Sequence, residues 1–114
     1  MFKLPVRAFL ALVLLALPLG PSFACAAAPA PVTIHITNFV FTPANLTVPA
    51  GTTVTWVNDD DIPHTVVSND KTTFRSTVLD TGQSFSFTFK AKGVVGYFCS
   101  IHPHMTGKVV VKAP

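Results

Sequence analysis

Short runs of alternating apolar and polar residues, each cut off by a turn former, constrain this chain more than any other feature. In VTIHITNFVF, Val32, Ile34 and Ile36 alternate with Thr33, His35 and Thr37. GTTVTWVN sets Val54 and Trp56 on one face, SFSFTF does the same with Phe85, Phe87 and Phe89, and GKVVVK closes the chain as a last strand. A period of two is that of a strand with one buried face, and no stretch carries the 3.6-residue period of an amphipathic helix. Pro43, Pro49 to Gly51, Asn58 to Asp61, Gly82, Gly93 and Gly107 punctuate the runs. These turn signals predict about seven short strands, the layout of an all-β Greek-key β-sandwich.

The N-terminus has a different composition. Lys3 and Arg7 precede an apolar run from Ala8 to Leu17, and Pro18, Gly20 and Pro21 end it before a small-residue stretch. That is the layout of a secretory signal, and the run is about half of the roughly 20 residues a membrane-spanning helix needs. No membrane span is expected. Small-x-small patterns allow cleavage after Ala24, Ala26 or Ala28, so residues 1–26 are read as the signal peptide and 27–114 as a single exported, periplasmic domain. Lipidation at Cys25 is disfavoured, because the preceding Ser-Phe-Ala lacks the aliphatic residue of lipoprotein signals. A Cys25–Cys99 disulfide is disfavoured because Cys25 sits in an Ala/Pro-rich tail with nothing to fix it. The formal charge of +3 falls toward neutral once Lys3 and Arg7 leave, and no basic cluster remains to attract nucleic acid.

Chemistry concentrates in YFCSIHPHM, residues 97 to 105. Cys99, His102 and Met105 follow a Cys-x2-His-x2-Met spacing that places a thiolate, an imidazole and a thioether on one short loop. Such donors favour copper or iron–sulfur chemistry and offer nothing to magnesium or calcium. A fourth donor is available in NDDDIPHTVV, where Pro63 stiffens the backbone before His64. Two histidines, one cysteine and a weak thioether form the ligand set expected of a blue-copper electron-transfer centre holding one copper ion.

With those residues in view, nearly the whole of 27–114 resembles the cupredoxins, the small blue copper proteins. FVFTPANLTVPAGTTVTWVNDDDIPHTV is similar to their N-terminal half and FSFTFKAKGVVGYFCSIHPHMTGKVVVK to their C-terminal ligand hairpin. The short Cys-x2-His-x2-Met loop is the amicyanin-like form. The resemblance implies that His64, Cys99, His102 and Met105 are the copper ligands, and that Asn58 supports them by tying the His64 segment to the cysteine loop. Two departures stand out: His104 where amicyanins carry phenylalanine, and Ser100-Ile101 in place of Thr-Pro. An azurin-like assignment with His104 as ligand would call for methionine at position 108, which is Lys108.

What the resemblance implies about function is a monomeric carrier of single electrons between redox proteins, with an amine dehydrogenase as a donor and a c-type cytochrome as an acceptor. The rival reading with the same ligands is a periplasmic copper-binding and delivery module. Structural zinc is disfavoured, since Met105 would stand where another Cys or His belongs. Catalysis is not expected: no nucleophile has a partnered base, and four protein ligands leave no open position. Asp59, Asp60 and Asp61 are read as a solvated acidic turn that can also steer a basic partner. His35 is read as a polar side chain on the outer face of the first strand, and Phe39, Phe41 and Trp56 as either apolar surroundings of the site or ordinary core.

Overall fold

A computed structural model describes residues 2–5, 11–22 and 27–114. Cys25 and the cleavage positions after Ala24 and Ala26 lie outside the described residues. Among the described residues there is no helix long and apolar enough to cross a membrane.

Eight strands form where the alternating runs fall: β1 Val32–Thr37, β2 Val40–Thr42, β3 Asn45–Pro49, β4 Thr52–Asn58, β5 Val67–Ser68, β6 Ser84–Phe89, β7 Gly93–Phe98 and β8 Thr106–Lys112. One sheet runs β2-β1-β4-β6 and the other β3-β8-β7-β5. The chain crosses between the sheets at every connection but two. Those two are the β1–β2 and β7–β8 hairpins, and the crossings leave parallel pairs β1 with β4 and β3 with β8 inside otherwise antiparallel sheets. This is the all-β sandwich expected from the sequence.

The count of eight rather than about seven has two causes. β5 is only two residues long, too short for a period to be read. The run VTIHITNFVF is broken in its middle: Asn38 and Phe39 have φ of 52° and 61°, and the chain folds back so that Thr37 pairs with Val40 and His35 with Thr42. Two consecutive positive φ values match the right-handed twist of the flanking strands, the reason such turns dominate two-residue hairpins. Asn tolerates this conformation; Phe ordinarily does not.

Alternation predicted the core faces well in the central strands. Ile34, Ile36, Val54 and Trp56 are fully buried, and Trp56 packs among Phe74, Phe85, Phe89 and Tyr97 with ring centroids 5.3–6.3 Å apart. Along β6 only Phe89 is buried outright, while Phe85 and Phe87 are half-buried. β6 is an edge strand, so part of its inner face lacks an opposing strand. Phe41 and Trp56 are core residues; Phe39 is half exposed.

Tyr97 is placed tightly. Its hydroxyl is buried with no hydrogen-bond partner, and a Cβ built on Gly107 would lie 2.4 Å from its ring carbon Cζ and from Oη. Gly107 therefore has the close approach of β8 to Tyr97 as its reason for being glycine. Gly107→Ala is expected to cost about 1–3 kcal/mol in overpacking, read by urea denaturation. Tyr97→Phe, which removes an unpaired buried hydroxyl, should cost nothing or stabilise the domain.

Candidate metal centre

Three connections meet at one end of the sandwich. β1 and β4 are parallel, with Ile36 beside Asn58, and Asp59 N–H donates to Ile36 O at 2.9 Å, so the segment after β4 starts next to the β1–β2 turn. β7 pairs with β5, Phe98 opposite Val67, which brings the β7–β8 loop against the end of the same segment. The site is built from these neighbours.

The β7–β8 loop is wound by its own backbone. His102 N–H donates to Cys99 O, Met105 N–H to His102 O, and Cys99 N–H to Met105 O, at 3.2, 2.9 and 3.1 Å. A three-residue spacing with a bond at each step gathers positions 99, 102 and 105 into one closed loop. His64 is fixed differently. Its N–H donates to Leu79 O and its C=O accepts from Leu79 N–H, at 3.1 and 2.8 Å, a bridge that holds the backbone without a long strand.

These elements bring His64, Cys99 and His102 together, with donor atoms all within 4.8 Å of one another. Cys99 Sγ lies 3.8 Å from His64 Nδ1 and 3.6 Å from His102 Nδ1. An ion bonded at about 2.0 Å to nitrogen and 2.3 Å to sulfur, with angles near 110–120°, holds the two donors roughly 3.5–3.7 Å apart, within about 0.1 Å of these distances. The spacing fits a single d-block ion between them. Met105 is buried at the end of the same loop, His64 and Cys99 are fully buried, and His102 is half-buried. His104 is exposed and is not a member of the cluster.

The sulfur is prepared to be an anion. Burial pushes the Cys99 thiol pKa up, but Thr65 N–H, the His64 ring, the Thr65 hydroxyl and Ile101 N–H outweigh it and bring the value down to about 6. Thr65 N lies 3.3 Å and its Oγ1 3.7 Å from the sulfur; the same Oγ1 accepts Ser100 N–H at 2.7 Å and is 2.7 Å from Ser100 Oγ. Thr65 thus ties the His64 segment to the cysteine loop. Asn58, to which the resemblance assigned that tie, is buried and organises the His64 segment from within. Its Nδ2 donates to Ile62 O and Leu79 O, and its Oδ1 accepts Asp60 N–H. Sequence reasoning missed Thr65, whose only signal was adjacency to His64.

The acidic turn is not uniformly solvated. Asp59 contacts His35 at 2.6 Å on the outer surface and Asp61 is exposed, but Asp60 turns inward and its Oδ2 lies 2.8 Å from His64 Nε2. Phe39 sets its ring edge-on to both imidazoles, with centroids 5.5 Å from His64 and 5.0 Å from His102. Phe39, Ile101 and Pro103 leave an apolar rim exposed beside His102.

Residues 7–111 match the family model for the cupredoxin-like domain. The chain belongs to the cupredoxins. It is 35% identical over 85 residues to an amicyanin of Paracoccus versutus, an alignment covering 71% of this chain and 64% of that protein's length. Among solved structures it is similar to a purple cupredoxin from Nitrosopumilus maritimus, with 39% identity, a TM-score of 0.66, and coverage of 71% of this chain and 99% of that one. It is also similar to a copper-containing nitrite reductase from Thermus scotoductus, with 34% identity and a TM-score of 0.69, covering 83% of this cupredoxin and 25% of the reductase chain.

The depressed thiol gives a pH dependence with a defined sign. Its folded value of about 6 lies below the ordinary 9.0, so its contribution to the stability of the metal-free protein is complete above about pH 9 and is lost as pH falls through 6. The ultraviolet thiolate absorbance of the metal-free protein should titrate near 6, and Thr65→Val should move that midpoint upward. An unmoved midpoint would show that the Thr65 hydroxyl does not support the thiolate.

Proposed function

We propose that the chain is an exported, periplasmic one-electron carrier, and not an enzyme, with one copper ion held by His64, Cys99, His102 and Met105. The observation that carries this reading is the convergence of two imidazole Nδ1 atoms on a single depressed-pKa cysteine at the spacing one ion requires. Copper held there would supply a Cu(II)/Cu(I) couple.

The chain's own residues supply the rest. His64 and Cys99 are fully buried and bonded to the sandwich frame, so their donor atoms have little freedom to follow a change of oxidation state, and low reorganisation favours fast electron transfer. Thr65 N–H stabilises negative charge on the sulfur. His102 reaches the surface inside the rim of Phe39 and Ile101, the place where a partner protein can approach the centre while excluding water. An amine dehydrogenase donor and a c-type cytochrome acceptor are the partners proposed, by resemblance to amicyanins. The three consecutive aspartates form no triple-charge steering patch, because Asp60 is directed inward. The similarity to a nitrite reductase concerns a quarter of that enzyme, and four donors from this chain leave no position for a substrate.

Copper delivery uses the same ligands, but two of the donors are fully buried and the exposed His104 is one extra donor where a handover surface calls for several. The testing experiment adds Cu(II) to the exported, metal-free protein. An intense thiolate-to-copper band should appear, be absent from Cys99→Ser, and persist in Met105→Gln with a shifted reduction potential. A full-strength band in Cys99→Ser would end the proposal. The mass of the exported protein should begin after Ala24, Ala26 or Ala28 with no acyl group; an acylated Cys25 would make it membrane-tethered instead.

A further inference from the structure

Four strands stand at sheet edges, and three of them are blunted. β2 is three residues long, β5 is two, and β3 ends in Pro49. Short strands and proline are among the devices that keep an open edge from pairing with another chain. β6 has neither. Its six residues, SFSFTF, carry no charge and no proline, and its register with β4 runs without a bulge.

Pairing with β4 uses only half of the β6 backbone. Phe89 O accepts Gly51 N–H and Gln83 O accepts Asn58 N–H. The alternation of an antiparallel strand then turns the peptide groups of Phe85, Phe87 and Phe89 toward β4 and those of Ser84, Ser86 and Thr88 outward. No backbone bond from a described residue reaches the outward three. On the inner face Phe87 is half-buried and lines, with Phe89, Ala91 and Val95, a groove of about 240 Å³. The edge is both unpaired and apolar.

The flanks of β6 indicate what pairs with it. Asp80 precedes the strand, Lys90 and Lys92 follow it, and all three are exposed. A strand with an acidic end and a basic end is complementary to itself run backwards. Antiparallel pairing about a two-fold axis through Ser86 sets Ser84 opposite Thr88 and Ser86 opposite Ser86, so all three outward residues exchange N–H and C=O with the second copy. The same register sets Phe85 opposite Phe87 at the mouth of the groove and, carried past the strand ends, brings Lys92 level with Asp80 of the second copy. Aromatic pairs and opposite charges are the cross-strand neighbours that stabilise such a ladder.

We propose that β6 is a self-pairing edge, through which two copies of the chain join antiparallel as a reversible two-fold dimer. One strand pair makes a small interface, so association is weak and concentration-dependent. Ser84 pairs with Val57 at the end of β4 that leads into the His64 segment, and antiparallel pairing therefore points the two metal ends away from each other. The rim around His102 stays open on both copies.

Sedimentation equilibrium at low salt tests this on the exported protein, metal-free and copper-loaded, from micromolar to millimolar concentration. The wild type should show a reversible monomer–dimer equilibrium. Ser86→Pro removes only an outward N–H, and Ser86→Lys sets like charges face to face on the axis. Both should lose the dimer over the same range while keeping the far-ultraviolet spectrum of the wild type. Asp80→Lys alone, and Lys90→Glu with Lys92→Glu, should each weaken self-association, whereas an equal mixture of the two should pair as tightly as wild type, because both ends of the mixed dimer then carry opposite charges. A wild type that stays monomeric to millimolar concentration overturns the proposal. So does a dimer that survives both Ser86 variants, which would place association on another surface, or a mixture no tighter than its components, which would exclude the antiparallel register.

Discussion

A sulfur that must be both buried and anionic is the constraint on which this end of the molecule depends. Cys99 is fully enclosed, and enclosing an ion costs several kcal/mol unless hydrogen bonds replace the lost water. Most of the replacement comes from outside its own loop: Thr65 supplies an N–H and a hydroxyl from the segment that carries His64, and Ile101 adds one N–H from the loop itself. Those donors exist at the right place only because β5 pairs with β7 and Leu79 bridges His64. The thiolate, the segment and the sheet pairing are therefore one cooperative unit, in which loosening any member exposes or unpairs the sulfur.

By topology, the sandwich makes one of the two proposed histidine ligands rigid and the other accessible. His64 comes from a connection between the two sheets, clamped at Leu79, Asn58 and Asp60, and ends up fully buried. His102 comes from the tip of a hairpin whose neighbours Pro103 and His104 are exposed. Two residues of the same type thereby acquire different characters, one fixed by the interior and one open at the rim. A carrier needs both, since a wholly buried centre would lie too far from its partner and a wholly exposed one would rearrange with solvent.

What could be read from the sequence was what depends on period and spacing. Strand faces in β1 and β4 follow from alternation, and the cluster at 99 and 102 follows from a three-residue interval that the loop's backbone bonds turn into proximity. What escaped depends on contacts between segments distant in the chain. The break at Asn38–Phe39 lay inside an alternating run, and no local rule predicts a phenylalanine in a left-handed turn, because the compensating acceptor is Asp60, 21 residues away from Phe39. Thr65 escaped for the same reason, its partners being Cys99 and Ser100. Asp59, Asp60 and Asp61 looked equivalent; only the end of β4 determines which of them points inward.

The aspartate run illustrates how a polar residue can be kept inside a fold for a reason other than stability. A buried carboxylate is costly, and the Asp60 pKa reflects two opposed effects: burial raises it, while the N–H groups of Phe39 and Asn38 and the His64 ring lower it to a net value below the usual carboxylate range. Replacing such a network with apolar side chains is often neutral or stabilising in other proteins, so stability alone gives no reason to keep it. Orientation does. An apolar neighbour would leave His64 free to exchange tautomers and the Phe39 turn free to relax to negative φ, and a centre built from those parts would still be compact but would have more than one arrangement of donors.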